Sequence, residues 1–242
     1  MTALPARVRN WAGAAVKRAG EQAGLEIRRY RPPALRRTEL LLAHQIELVI
    51  DVGANRGQYA QELRAHGYRH EIVSFEPAAA AFETLRQRST ADRRWGIRQL
   101  AVSDEDAIVE LGAADNFSSL LPVAGRLSAL FPEATPRRRE RVRSCRLDAA
   151  GLELPEGSRT LLKLDVQGFE RQAIAGAGGI LEGVAIIETE LSVAPLYVGQ
   201  ALLAEIVCLL ERHDYRLVEL DPVLRDRTTG QYLQFDGLFV KR

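Results

Sequence analysis

The residues with the clearest chemical meaning lie in one short stretch, where Asp51 belongs to an apolar run and Gly53 and Gly57 follow it. Glycines at this spacing allow a tight turn and let the backbone approach a ligand closely. Glu76 ends the next apolar run, roughly 20 residues after the turn, where an acid can accept hydrogen bonds from ribose hydroxyls. The turn and the acid together predict a nucleoside-binding site.

The spacing of the glycines narrows the range of ligands that the turn could bind. The turn has the pattern Gly-x-x-x-Gly rather than Gly-x-Gly-x-x-Gly, and the sequence has no Gly-x-x-x-x-Gly-Lys-Ser/Thr stretch to cradle phosphates. A glycine turn without phosphate-binding residues favours a nucleoside such as S-adenosylmethionine. The simpler alternative is that the glycines only close a tight connection between a strand and a helix.

The elements around these residues alternate between strand and helix patterns. Residues 48–52 predict a buried strand, and a helix follows from Gln58. Further strands are predicted at residues 71–75, 97–102, 108–111, 142–147, 160–166, 184–191, 215–220 and 231–240. Such alternation indicates a mostly parallel sheet that binds ligands beyond the carboxyl ends of its strands. The polar residues expected there are Asp51, Glu76, Ser103, Asp165, Glu188 and Glu190.

Composition excludes several classes of protein. The 242 residues suit one sizeable α/β domain, and a net charge of +1 gives no general reason to expect a nucleic-acid partner. No stretch is long and apolar enough to span a bilayer. Cys145 and Cys208 lack the spacing of metal ligands, which favours reduced thiols in a cytoplasm. The four histidines are not grouped, so no metal site is predicted.

Residues 1–38 differ from the rest and are expected to form a basic amphipathic extension, with the main domain at residues 39–242. One interpretation is a helix that packs on the domain or covers its cofactor cleft. The other is a helix at the inner face of the membrane that brings the enzyme to a lipid-linked substrate. The alanine-rich apolar face would insert only weakly.

Five stretches resemble the FkbM family of S-adenosylmethionine-dependent O-methyltransferases. They are Asp51–Gly57, Phe75–Pro77, Ala101–Asp104, Lys163–Glu170 and Ile186–Glu188. The resemblance implies a Rossmann-like class I methyltransferase fold, with a seven-stranded, mostly parallel sheet and a final antiparallel strand. It also implies S-adenosylmethionine as cofactor and a hydroxyl acceptor on a sugar, a glycolipid or a polyketide-type metabolite. The family usually has Glu where this chain has Gln167.

The resemblance also implies roles for individual residues. Gly53, Asn55 and Gly57 would line the methionine part of the cofactor, Glu76 would bind the ribose, and Ala101 and Ser103 would lie near the adenine. Asp51 belongs to the same motif. Asp165 would face the reaction centre as general base or acceptor-positioning group; alternatively, it caps the helix that begins near Phe169. Glu188 and Glu190 share one face of a strand and are the next candidates.

Two further segments have two interpretations each. Residues 116–119 form part of the acceptor pocket or a plain loop, and the basic run at residues 137–143 is more simply a solvated face than a phosphate contact. The leading function is methylation of a sugar hydroxyl, in which case the enzyme would belong to glycolipid biosynthesis. The alternatives are methylation of a polyketide-type secondary metabolite and a non-catalytic scaffold that binds the cofactor.

Overall fold

The computed structural model describes residues 18–25, 33–157 and 159–242. Residues 1–17 and 26–32 of the expected N-terminal extension therefore lie outside the described residues. Residues 18–22 are helical. The boundary expected at residue 38 falls inside a helix, Pro33–Ala43, whose Leu41 is buried in the core of the domain.

Helices and strands alternate through most of the described chain. The helices are α1 Pro33–Ala43, α2 Gln58–Ala65, α3 Ala79–Ser89, α4 Gly125–Leu130, α5 Glu170–Gly176 and α6 Leu203–Glu211. The strands are β1 Leu48–Val52, β2 Glu71–Phe75, β3 Trp95–Arg98, β4 Ala101–Val102, β5 Ala107–Ala113, β6 Arg138–Cys145, β7 Thr160–Leu164, β8 Val184–Ser192, β9 Tyr215–Arg225 and β10 Tyr232–Lys241.

Seven strands form the main sheet in the order β3-β2-β1-β7-β8-β10-β9. Strand β10 runs antiparallel to both of its neighbours, and the other pairs are parallel. The predicted seven-stranded, mostly parallel sheet with a final antiparallel strand is confirmed. The central strands are apolar on both faces because helices cover both: Leu41, Leu63 and Leu85 pack on one face, and Ile174 and Leu210 on the other.

Three further strands form a smaller sheet in the order β4-β6-β5. The single strand predicted at residues 97–102 is wrong, because Ala101 and Val102 leave the main sheet and pair with Ser144 and Cys145 of β6. The basic run continues into β6, where the side chain of Arg139 is 78% exposed and pairs with Glu110 of β5 at 2.9 Å. Strand β6 thus has exposed arginines at residues 138, 139, 141 and 143, while Val142 and Ser144 between and after them are buried.

Candidate active site

A cleft of about 510 Å³ opens at the carboxyl ends of β1, β2, β7 and β8. The turns after these strands form its floor, and residues from α1, α2, the segment after β5 and the β9–β10 pair form its walls. The residues predicted at the site that line the cleft are Gly53, Asn55, Glu76, Ala101, residues 116–119, Asp165, Glu188 and Glu190. The topology thus gathers residues from six separate stretches of sequence.

The glycine turn after β1 is built for close backbone contact. Gly53 has a φ of 79°, and a Cβ atom added to it would lie 1.8 Å from the backbone oxygen of Asp165. No side chain fits there, so the turn and the start of the loop after β7 touch through their backbones. This contact places Asp165 directly beside the glycine turn.

Glu76 is held by backbone amides at the end of β2. Its carboxylate oxygens accept hydrogen bonds from the backbone N–H groups of Asn55 and Ala78, both at 2.8 Å. Burial raises the pKa of Glu76 to about 7, although these two amides oppose the shift. The carboxylate lines the cleft with lone pairs that a ribose hydroxyl can use.

Three residues predicted at the cofactor lie behind the cleft wall. Asp51 is fully buried and pairs with Lys163 at 3.1 Å. Gly57 is the N-cap residue of α2 and has a φ of 84°, and a Cβ there would lie 2.8 Å from the Leu85 and Trp95 side chains. The Ser103 hydroxyl donates to the adjacent Asp104. These positions support the wall rather than line it.

Asp165 follows β7 and is the more exposed of the two predicted catalytic residues, with 35% of its side chain accessible. Its Oδ2 lies 3.3 Å from Lys163 Nζ, and its Oδ1 accepts a hydrogen bond of 2.9 Å from Gln167. Helix α5 begins without a side-chain cap. The capping role considered for Asp165 is therefore wrong, and its carboxylate faces the cleft.

Glu188, the other predicted catalytic residue, is already fully engaged. Arg37 of α1 forms a bidentate ion pair with it, and the Tyr59 hydroxyl donates to its Oε2 at 2.7 Å. The Arg37 guanidinium and the Lys163 ammonium also lie 4.9 and 5.0 Å from the centre of the Tyr59 ring. This arrangement suits a structural ion pair that anchors α1 better than a base.

Two more carboxylates complete this end of the cleft, Glu190 of β8 and Asp236 of β10, which are direct partners across the antiparallel pair. Burial raises the pKa of Glu190 well above its usual range, and the nearby Asp165 and Glu170 add to the shift. Burial raises the pKa of Asp236 to about 7, and the negative charges of Glu188 and Asp165 contribute. Both carboxyl groups therefore hold protons more tightly than exposed acids do.

Sequence reasoning missed Arg37, Tyr59 and Asp236 as site residues. Arg37 was assigned to the N-terminal extension, and Tyr59 looked like an ordinary residue of the helix predicted from Gln58. An acid inside the apolar final strand was the available signal for Asp236. Within the part of the chain that the structure describes, no group of three or more His, Cys, Asp or Glu side chains is placed to hold a metal ion.

Known proteins share both the fold and the sequence pattern. The Methyltransferase FkbM domain matches residues 51–217. The 31-O-demethyl-FK506 methyltransferase FkbM of Streptomyces tacrolimicus is 28% identical over 219 residues, covering 75% of this chain and 80% of that protein. The 2-O-methyltransferase NoeI of Sinorhizobium fredii (strain NBRC 101917 / NGR234) is 28% identical over 203 residues, covering 77% of this chain and 82% of that protein.

A solved structure supports the fold. Methyltransferase FkbM from Methylobacillus flagellatus KT superposes with a TM-score of 0.50 at 16% identity, over 81% of this chain. This chain spans 43% of that protein. The fold and the cleft at the strand ends define a class I methyltransferase.

More narrowly, the chain belongs to the FkbM methyltransferase family. It is an S-adenosylmethionine-dependent O-methyltransferase. The cleft fits this cofactor, since Gly53 leaves room for close contact, Glu76 offers a carboxylate for the ribose, and Ala101 and Val102 offer a small apolar wall. No helix among the described residues is long and apolar enough to cross a membrane.

Proposed function

We propose that the enzyme methylates a hydroxyl group of an uncharged sugar, with Asp165 as the general base. The observation that carries this proposal is the charge of the cleft beside the glycine turn. Three carboxyl groups, Asp165, Glu190 and Asp236, line this region. Among the described residues that line the cleft, the cations are Arg37 and Lys163, and each pairs with a carboxylate.

This charge pattern supports an acceptor that carries hydroxyl groups and no negative charge. Carboxylate oxygens accept hydrogen bonds from hydroxyl groups, and adjacent sugar hydroxyls can donate to them in pairs. A phosphate or carboxylate on the acceptor would instead lie among these acids, where the lining cations Arg37 and Lys163 are already paired, which is unfavourable in a partly buried site. The cleft therefore favours a neutral, hydroxyl-rich acceptor.

Asp165 is placed to remove the proton of that acceptor. Bound S-adenosylmethionine would supply a methyl group on a sulfonium, which leaves as a neutral thioether when the acceptor oxygen takes the methyl group. A hydroxyl becomes a good nucleophile as a base accepts its proton. Asp165 lies next to Gly53, points into the cleft and is partly open to it.

The acceptor class is tested by transfer of labelled methyl groups to p-nitrophenyl glycosides, to sugar phosphates and to a demethylated macrolide. We expect glycosides to be methylated and sugar phosphates to react at least tenfold more slowly. A preference for sugar phosphates would overturn the proposal. Methylation of the macrolide alone would instead favour a polyketide-type acceptor, as the name of the FkbM relative suggests.

A lipid-linked acceptor is tested by exchanging p-nitrophenyl for dodecyl on the same sugar. A lower KM for the dodecyl glycoside supports the lipid-linked form, and equal values argue against it. This comparison uses the complete chain, so the residues outside the described part keep any contribution that they make.

The base is tested by Asp165→Asn, which keeps the shape of the side chain and removes its basicity. We expect turnover to fall at least roughly 100-fold, a typical contribution of a general base. The affinity for S-adenosylhomocysteine should stay within about twofold. Asp214→Asn, at an exposed position, is the matched control and should leave both unchanged. Turnover retained by Asp165→Asn would remove the base role.

A further inference from the structure

Gln167 lies at the centre of the carboxylate cluster and contacts two of its members. Its side-chain Nε2 donates to Asp165 Oδ1 at 2.9 Å and to Glu190 Oε2 at 3.0 Å. One amide group thus bridges two carboxylates that come from the ends of different strands. Because an amide is neutral, it supplies donors without cancelling the charge of either acid.

The side chain can bridge in this way in one orientation only. If the amide were turned over, its oxygen would face two carboxylates and its nitrogen would face away from them. The Tyr197 hydroxyl donates a hydrogen bond of 2.7 Å to Gln167 Oε1. A hydroxyl proton directed at this atom favours the oxygen on the Tyr197 side and so turns the NH₂ group toward the acids.

Tyr197 is held firmly enough to act as this guide. It is 1% exposed, and its ring packs on Gly168, where an added Cβ would lie 2.9 Å from the ring. Burial raises the pKa of Tyr197, and the negative charges of Glu190 and Glu170 add to the shift, so the hydroxyl keeps its proton. Gln167 itself has a φ of 54°, and its backbone oxygen accepts a bond of 2.7 Å from Ser119.

We propose that Tyr197 and Gln167 are positioning residues that fix Asp165 and Glu190 at the acceptor end of the cleft. Tyr197 orients the Gln167 amide, and the amide holds the two carboxylates side by side. This inference rests on the proposed function, in which Asp165 takes the proton of the acceptor.

The consequence is measurable at Glu190, because hydrogen bonds to an ionised carboxylate lower its pKa. The charged and titratable groups that face Glu190 come from its own strand, from β7 and the loop after it, from α5 and β10, and from the loop after β8. They are Glu188, Lys163, Asp165, Glu170, Asp236 and Tyr197. Removing the amide donor leaves these groups in place and should raise the pKa of Glu190 further.

The experiment titrates the carboxyl carbon of Glu190 by ¹³C NMR in the complete chain with S-adenosylhomocysteine bound. Glu190→Gln identifies the signal. Gln167→Asn is the first variant, since Asn tolerates a positive φ but is too short to bridge. Tyr197→Phe is the second, because it removes the hydroxyl and keeps the ring on Gly168. Tyr232→Phe, on an exposed side chain, is the matched control.

We expect both variants to raise the titration midpoint of Glu190 by about one pH unit, and the control to leave it unchanged. The double variant should show no more than the Gln167→Asn shift, because Tyr197 acts through Gln167. Unchanged midpoints in both single variants would overturn the proposal. A shift in Gln167→Asn alone would remove Tyr197 from it.

A kinetic readout separates this inference from the proposed function. The pH–rate profile is measured with a glycoside that the wild type methylates. Its acid limb should move to higher pH in Gln167→Asn, while the affinity for S-adenosylhomocysteine stays within about twofold. If Asp165→Asn abolishes turnover but this limb does not move, the positioning role fails and the base role stands. If Asp165→Asn retains turnover, the base role fails, whatever the NMR titration shows.

Discussion

Cofactor affinity should depend on pH through Glu76. Burial raises the pKa of this carboxyl from 4.5 to about 7. A pKa difference of one corresponds to about 1.36 kcal/mol. Ionising Glu76 in the folded chain therefore costs about 3 kcal/mol more than ionising it in an exposed position. Ribose hydroxyls that donate to the carboxylate favour its ionised form. Below about pH 7 the cofactor must therefore first displace a proton, and affinity should fall by up to tenfold per pH unit.

Isothermal titration with S-adenosylhomocysteine between pH 5.5 and 8.5 measures this dependence. Glu76→Gln provides the comparison, because it keeps the shape and cannot ionise. We expect it to bind about 10- to 100-fold more weakly at pH 8, since hydrogen bonds to a charged group contribute roughly 1.5–3 kcal/mol. Its affinity should vary little with pH. A wild-type affinity that is constant over this range would refute the reasoning.

The same shift has a consequence for stability without ligand. The pKa of Glu76 is raised by folding, so the unfolded chain loses this proton at lower pH than the folded chain does. The contribution of Glu76 to the free energy of unfolding is thus complete below about pH 4.5 and is lost as pH rises to about 7. Chemical denaturation of wild type and Glu76→Gln should show the wild type losing relative stability over this interval, and the opposite slope would contradict the sign.

Two further predictions concern the frame of the site. Gly53→Ala should abolish measurable cofactor binding by titration, because its Cβ would lie 1.8 Å from the Asp165 backbone oxygen; retained affinity would mean that this turn is not as close-packed as described. Arg37→Met should cost about 3–5 kcal/mol of unfolding free energy, because it leaves Glu188 buried without its cation. Arg86→Met, in an exposed pair, should change stability far less than Arg37→Met in the same denaturation assay.

The glycine turn and Glu76 could be predicted from sequence because their chemistry is local. A buried strand, two glycines and an acid after the next strand specify a cofactor turn with little help from the rest of the chain. The seven-stranded sheet was likewise predictable, since alternating strand and helix patterns, together with the family resemblance, limit the topology.

Local sequence patterns do not show which way a turn faces or which strand a segment pairs with. Gly57 was expected at the cofactor. It does have a positive φ and caps the start of α2, but it lies behind the cleft wall against Trp95. Conformation could be inferred from the glycine itself, whereas the direction in which the turn faces depends on α3 and β3. The strand expected at residues 97–102 is a second example, because its last two residues pair with β6, about 40 residues away along the chain.

The sequence by itself determined which cofactor the chain binds and which strand ends carry polar residues. Only the tertiary structure decided which of those acids are exposed in the cleft and which are buried in ion pairs. Glu188 and Asp165 look alike in sequence, but Arg37, 151 residues from Glu188, neutralises one of them. Asp236 joins the cluster because β10 lies beside β8. Charge in a partly buried site depends on neighbours in space, and those neighbours are set by long-range pairing that spacing along the chain does not specify.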